Sequence, residues 1–135
     1  MQTIVGQQIP AKIFLYNNSG YHSIRQSQQA YFDGFSVGCG PDSGITFPDF
    51  EKIATAFGLS YTRVSEHDDM ARAIAETLGA PGAALCEIMV DKAQNFAPKV
   101  SSRRLEDGSM VTAPMEDLAP FLPRDELARA LSVPE

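Results

Sequence analysis

The sequence predicts an α/β fold in which a parallel sheet has helices on both faces. Short, continuously apolar runs alternate with segments whose apolar residues recur at helical spacing, and glycine or proline marks most boundaries. Continuous apolar runs are typical of strands covered on both faces, and strand–helix alternation is typical of right-handed crossovers between parallel strands. In such folds ligands bind at the carboxyl ends of the strands.

The first predicted elements lie in residues 12–64. The run KIFLY at 12–16 predicts a strand that ends abruptly at the turn residues 17–20, Asn-Asn-Ser-Gly. In residues 48–57 the apolar positions have helical spacing, and Gly58 follows where a helix often ends. Residues 59–64 then predict a second short strand.

A second helix and a third strand complete this part. Ser65, with Asp68 three positions later, resembles a capping arrangement that opens the helix. Glycine and proline at residues 79–82 end it, and the continuously apolar residues 84–90 predict the third strand. The predicted buried stripe of the helix consists of Met70, Ile74 and Leu78.

After Asp91 the composition changes to lysine, serine, arginine and proline. Asp107-Gly108 predicts a tight hairpin, and residues 124–131 predict a final short helix. We therefore expect residues 1–135 to form one partial domain, with residues 92–135 as a tail that packs across its surface.

Composition excludes several classes of protein. Seventeen acidic residues against 11 basic ones give a formal charge of -6, which argues against nucleic acid as a partner. No apolar run approaches the ~20 residues that a membrane span needs, so a cytoplasmic protein is expected. The spacing and context of Cys39 and Cys86 suggest two free thiols.

The Asn-Asn loop, residues 17–20, follows the most convincing strand. An asparagine offers a neutral side-chain oxygen to a hard cation such as magnesium, and glycine permits unusual backbone angles. The same four residues also make a good turn with no ligand. From the loop alone both interpretations stay open.

The longer segment KIFLYNNSGYHSIRQSQQAY, residues 12–31, resembles the metal and diphosphate loop of thiamine diphosphate-dependent enzymes related to acetolactate synthase. Within it GYHSIRQSQ is similar to the Gly-Tyr-x-Ser-Ile-Arg-x-Thr-Gln stretch of that family, with Ser27 where threonine is usual. PDFEKIATAFG, FAPKVSSRRLEDG and PFLPRDEL resemble later parts of the same subgroup. The resemblance spans nearly the whole chain and implies the C-terminal part of a thiamine diphosphate-binding fold.

The resemblance implies thiamine diphosphate and Mg2+ as cofactors. It assigns the Asn18 side chain and the Gly20 backbone carbonyl to the metal, which bridges the diphosphate to the protein. Backbone amides at a helix N-terminus just after the loop are suited to diphosphate oxygens. The expected cofactor-binding residues are Asn18, Gly20, Tyr21, His22, Ser23 and Ile24.

The polar side chains that follow have two open interpretations. They can reach a substrate carboxylate or a neighbouring chain, or they can form a solvated helix face. These residues are Arg25, Gln26, Gln28 and Gln29.

Parts of the family's machinery are missing from this sequence. The signature opens with a Gly-Asp-Gly motif whose aspartate binds magnesium, yet residues 1–11 contain no acidic residue. The activating glutamate of the family lies in another domain of a partner subunit, so no catalytic residue is assigned here. We expect a missing upstream half or partner subunit, a homo-oligomer, and an isolated chain without activity.

Two functions are compatible with the sequence. The first is the C-terminal portion of an enzyme that decarboxylates or joins pyruvate or a similar 2-oxo acid. The alternative is a non-catalytic interaction or oligomerisation module derived from that fold, which would use the edge of its half-sheet for association. A split enzyme and a fragment or truncated reading frame are both compatible with the first, and a fragment of a larger enzyme is favoured because QTIVGQQIP, residues 2–10, resembles an internal helix and strand approach of the family. Substrate, acceptor and flavin dependence stay open.

Overall fold

The computed structural model of the protein describes residues 1–132, without the side chains of residues 103 and 104. The chain divides into two compact units, Met1–Asn95 and a second unit that begins at Phe96. The predicted tail, residues 92–135, overlaps the second unit, and its boundary and its packing across the surface stay predictions.

The first unit is an α/β fold with a three-stranded parallel sheet in the order β1 (Lys12–Asn17), β3 (Ala84–Met89), β2 (Ser60–Val64). The central strand β3 thus lies between two strands that precede it in the sequence, as crossover connections require. This confirms the predicted fold class. The elements are α1 (Gln2–Gly6), β1 (Lys12–Asn17), α2 (His22–Tyr31), α3 (Phe50–Ala56), β2 (Ser60–Val64), α4 (His67–Gly79) and β3 (Ala84–Met89).

Alternate residues of β3 build a core on each face of the sheet. Leu85 packs with Ala54 of α3 and with Leu59, whereas Cys86 packs with Val64 and Ala73 on the α4 side. Because successive side chains of a strand point to opposite faces, one central strand anchors a helix on either side. Helices on both faces are thus confirmed.

The ends of α3 follow from its sequence. The side chain of Asp49 accepts a hydrogen bond from the Lys52 amide at 3.0 Å, which caps the first turn. This bond, given by the backbone of Lys52, lowers the pKa of Asp49. Gly58 adopts a φ of 69° just after the helix, in the left-handed region that glycine enters without strain.

The structure corrects the predicted start of α4. The helix begins at His67 with Glu66 at the N-cap position, and no side-chain cap bond forms there. Ser65 therefore lies one residue before the cap. The acidic residues Asp68 and Asp69 in the first turn stabilise the positive end of the helix dipole instead.

The predicted buried stripe of α4 is also wrong in part. Ala73 and Thr77 are its buried residues, whereas Ile74 is 36% and Leu78 is 58% exposed. Small side chains let the helix approach the sheet closely, and the Thr77 hydroxyl donates to the Ala73 carbonyl at 2.7 Å. Met70 does pack against the core, as expected.

The second unit contains a hairpin and a helix. Strands β4 (Ser102–Arg104) and β5 (Met110–Thr112) pair antiparallel, and Gly108 turns the chain with a φ of 84°. The helix α5 (Arg124–Leu131) follows, with the Arg124 guanidinium bonded to both carboxylate oxygens of Asp117 at 2.5 and 3.0 Å. The predicted hairpin and final helix are confirmed.

Two further expectations concern membranes and thiols. Across residues 1–132, no helix has the length and apolar character to cross a membrane. Cys39 and Cys86 are both free thiols, as the sequence predicted, and both are buried.

Candidate functional site

The Asn-Asn loop is a tight turn at the carboxyl end of β1. The Asn17 side-chain oxygen accepts from the Ser19 amide at 3.0 Å, and the Asn18 side-chain oxygen accepts from the Gly20 amide at 3.2 Å. Ser19 adopts a φ of 56°, an uncommon angle for a non-glycine residue. Two consecutive asparagine side chains thus hold the backbone in a shape that an unconstrained turn rarely adopts.

Gly20 lies directly against a second glycine-rich loop, residues 38–40. A β-carbon on Gly20 would overlap the Cys39 carbonyl oxygen and the Arg25 guanidinium. That same carbonyl accepts a hydrogen bond from the Tyr21 amide at 2.8 Å. Gly40 faces the Ser19 carbonyl less closely, since a β-carbon there would lie 3.0 Å from that oxygen. The two loops therefore meet backbone to backbone, and at Gly20 only glycine permits the approach.

Arg25 fixes this arrangement from α2. Its guanidinium donates to the Ser19 carbonyl at 3.2 Å and to the Lys92 carbonyl at 3.1 Å. Gln28, one turn later, exchanges two hydrogen bonds with the Val37 backbone. Arg25 and Gln28 therefore hold loops in place. The sequence had left two other roles open for this helix face, contact with a substrate or neighbouring chain and exposure to solvent.

The N-terminus of α2 follows the Asn-Asn loop. Backbone N–H groups in the first turn of a helix point out of its end and favour anions. This turn consists of His22, Ser23 and Ile24, and the His22 ring is buried. The Tyr21 amide is engaged by Cys39, so the residue offers its half-exposed ring, which lies edge-on to Phe47 at 5.7 Å.

A polar cavity of about 290 Å³ opens beside this turn. It contains two cationic side chains and one carboxylate, so its chemistry is suited to a polar, negatively charged group. The lining residues are His22, Arg25, Gln29, Asp42, Lys92, Ala93 and Asn95.

On the α3 face of the sheet, a buried carboxylate joins the three strands. Glu87 of β3 is 5% exposed, and its Oε1 accepts from Asn17 Nδ2 at 2.5 Å. The Tyr61 hydroxyl of β2 donates to Oε2. Burial, followed by the hydrogen bond to Glu87 and its charge, raises the pKa of Tyr61 well above its ordinary value of 10.0. The tyrosine therefore stays a proton donor.

The donors of the Asn-Asn loop fit a hard cation. A side-chain amide oxygen and a backbone carbonyl are ligands that Mg2+ accepts, and about six oxygens complete its preferred sphere. Within residues 1–132, no group of three or more His, Cys, Asp or Glu side chains is arranged to hold a metal. Asn18 and Gly20 are thus compatible with part of a magnesium site, next to a helix end compatible with diphosphate.

Sequence reasoning missed Glu87 and Cys39. A signal for Glu87 was present, because it is the one charged residue in the run AALCEIMV and a buried charge needs partners. Its link to Asn17 depends on β3 lying beside β1, which local patterns do not encode. Cys39 acts through its carbonyl, and no side-chain pattern could indicate that contact.

A parallel sheet with a polar loop at a strand end and a helix N-terminus beside it is typical of α/β domains that bind phosphate-bearing cofactors. Residues 1–88 match the family described as "Thiamine pyrophosphate enzyme, C-terminal TPP binding domain". The match covers more than half of the chain, and the protein belongs to this family.

Curated relatives are acetolactate synthase large subunits. The chain is 31% identical over 99 residues to the "Acetolactate synthase large subunit" of Pyropia yezoensis, and 29% to that of Cyanidium caldarium. It is 30% identical over 99 residues to the "Acetolactate synthase isozyme 2 large subunit" of Escherichia coli (strain K12). Each alignment covers 73% of this chain but only 16% or 17% of the relative.

Proposed function

We propose that the chain is the C-terminal, diphosphate-binding portion of a thiamine diphosphate- and magnesium-dependent enzyme that acts on pyruvate or a similar 2-oxo acid. The observation that carries this proposal is the Asn-Asn loop itself, a turn shaped by two asparagines at the end of β1 and directly before the N-terminus of α2. Membership of the family and the acetolactate synthase relatives support it.

In this proposal the Asn18 side-chain oxygen and the Gly20 carbonyl bind Mg2+. The backbone N–H groups in the first turn of α2, His22 to Ile24, would hold the diphosphate, and the half-exposed ring of Tyr21, at the N-cap of α2, would be available to the cofactor. When bound, thiamine diphosphate supplies the chemistry that cleaves or forms the bond next to the carbonyl of a 2-oxo acid. Arg25 and Gln28 keep the loops in place while the cofactor is held.

The remaining parts come from outside the chain in this proposal. Because the chain spans only 16% of the Pyropia relative, most of a comparable enzyme lies elsewhere. An upstream half or partner subunit provides the other metal ligands and the group that activates the cofactor. The chain alone is then inactive, and the working enzyme is a cytoplasmic homo-oligomer.

Complementation tests this function. The chain is combined with a separately expressed upstream half that carries a Gly-Asp-Gly motif, and consumption of pyruvate is followed with and without Mg2+. We expect activity only when both pieces and the metal are present. Asn18→Ala should abolish it, whereas Gln7→Ala, which changes an exposed amide beyond α1, should not. Full activity of Asn18→Ala would contradict the metal assignment.

A second candidate function has one observation in its favour. In the described residues β1 is an edge strand, and its Tyr16 is 70% exposed. An open strand edge is a template for pairing with another chain. The alternative function is therefore a non-catalytic module that associates through β1. Sedimentation tests this alternative, because a stable monomer at all concentrations, with no added order from an upstream segment, contradicts the association module.

A further inference from the structure

Glu87 is an unusual residue for the middle of a buried strand. It lies in β3 with Leu15 of β1 and Arg63 of β2 as its strand partners. Burying a carboxylate is costly unless its oxygens are bonded. Here both oxygens have a donor, Asn17 on one side and Tyr61 on the other. These two hydrogen bonds offset part of the solvation that the buried carboxylate loses.

The bond to Asn17 determines how that amide is turned. A carboxylate only accepts hydrogen bonds, so Asn17 must present Nδ2 to Glu87. Its Oδ1 then faces the opposite way, where it accepts from the Ser19 amide at 3.0 Å. The orientation of one side chain at the end of β1 is therefore imposed by a residue 70 positions later.

The Ser19 amide lies between the two proposed metal ligands. Its bond to Asn17 holds Ser19 at a positive φ, and the next amide, of Gly20, bonds to Asn18. If Asn17 lost its orientation, the turn that presents Asn18 and Gly20 would lose one of its two side-chain bonds. The chain of contacts runs from Tyr61 through Glu87 and Asn17 to the loop.

We infer that Glu87 is a positioning residue for the Asn-Asn loop, which acts through the Asn17 amide to preorganise the Asn18 and Gly20 oxygens for the metal. The inference rests on the proposed function. Glu87 does not itself reach the metal, since both of its oxygens are engaged inside the sheet. Residues that orient metal ligands in this way typically change metal affinity about 10- to 100-fold when they are replaced.

The test uses the full chain, labelled with 15N and reconstituted with an unlabelled upstream half, and Mn2+ as a paramagnetic probe with thiamine diphosphate present. Mn2+ bound at the loop should broaden the amide signals of Ser19, Gly20 and Tyr21 first. Glu87→Leu should require about 10- to 100-fold more Mn2+ for the same broadening. Glu87→Gln keeps an acceptor for Asn17 and should remain close to the unmodified chain. Glu51→Leu replaces an exposed glutamate beside the same sheet face and serves as the matched control.

A second pair of variants distinguishes loss of the link between Glu87 and Asn17 from a general disturbance of the core. Asn17→Ala lies at the strand end and breaks the same link without changing Glu87. If Glu87 acts through Asn17, the double variant should lose no more Mn2+ affinity than the Asn17→Ala variant. If Glu87 instead had a general structural role, the double variant should lose more Mn2+ affinity than the Asn17→Ala variant.

Three outcomes are distinguishable. Weakened broadening in Glu87→Leu and Asn17→Ala, with recovery in Glu87→Gln, supports the inference. Unchanged Mn2+ dependence in Glu87→Leu, or additive losses in the double variant, overturns it while the metal site stands. Absence of broadening at the loop in the unmodified chain contradicts the metal site, and the inference with it.

Discussion

The carbonyl oxygen of Cys39 occupies the space that a β-carbon on Gly20 would need. The close approach allows the Tyr21 amide to donate to that carbonyl at 2.8 Å. The loop of residues 38–40 thereby supports the Asn-Asn loop, although the two are distant in the sequence. The requirement for glycine at this position is thus steric and can be tested directly.

Gly20→Ala should displace the loop of residues 38–40 and destabilise the first unit by about 1–3 kcal/mol, the usual range for overpacking. The amide shifts of Tyr21 and Cys39 report the displacement, and urea unfolding reports the free energy. Gly82→Ala is the matched control, because a β-carbon there meets nothing within 4 Å. Unchanged Tyr21 and Cys39 shifts in Gly20→Ala would contradict the contact.

Arg25→Lys should loosen the Asn-Asn loop. A lysine ammonium lacks the planar fork with which Arg25 bonds the Ser19 and Lys92 carbonyls together. Loss of about one net hydrogen bond should speed hydrogen exchange of the Ser19 to Tyr21 amides about tenfold. Arg72→Lys, on the exposed side of α4, controls for the change of side chain. Equal exchange in both variants would show that Arg25 does not fix the loop.

Tyr61 should make the stability of the first unit depend on pH in the alkaline range. Burial and the contact with Glu87 raise the pKa of Tyr61 in the folded chain above its ordinary value of 10.0. Above pH 10 the unfolded chain loses the tyrosine proton first, so this contribution is present below pH 10 and declines as the pH rises further. In Tyr61→Phe the free energy of unfolding should fall less steeply above pH 10.

The tyrosinate absorbance checks the same prediction spectroscopically. The difference between the titrations of the unmodified chain and Tyr61→Phe isolates Tyr61. Its midpoint should lie above pH 10, and Glu87→Gln should lower it because the charge and its hydrogen bond are removed. A midpoint at or below 10 would show that Tyr61 is neither buried nor bonded as described.

A buried leucine and an exposed leucine should contribute differently to stability. Leu85 is almost fully buried in the α3-side core, and Leu85→Ala should lower the free energy of unfolding by about 2–5 kcal/mol. Leu78 is 58% exposed on α4, and Leu78→Ala should lower it much less. Urea unfolding of the two variants measures both values. A larger loss in Leu78→Ala would restore the stripe that the sequence predicted and contradict the orientation of α4.

The sequence predicted the elements of the fold well because each has a local cause. The apolar run of β1 and the glycine after α3 are encoded within a few residues of where they act. The orientation of α4 was less predictable. Periodicity marked its larger apolar residues, whereas the sheet selects Ala73 and Thr77, whose small side chains allow close packing.

The candidate site likewise combines features encoded locally with contacts between distant parts of the chain. The Asn-Asn loop and the helix after it are local, and a resemblance of motifs identified both. The contacts of Gly20 with Cys39, of Arg25 with Lys92 and of Asn17 with Glu87 are not local. They depend on which loops and strands become neighbours, and that is known only once the sheet order is known.

The Asn-Asn loop is tested most directly by a Mg2+ titration of thiamine diphosphate binding, measured by calorimetry on the chain reconstituted with an upstream half. Binding should depend on Mg2+, and Asn18→Ala should raise the Mg2+ requirement at least about tenfold. Gln7→Ala should leave it unchanged. If Asn18→Ala binds thiamine diphosphate at the same Mg2+ concentration as the unmodified chain, the Asn-Asn loop is not a metal site.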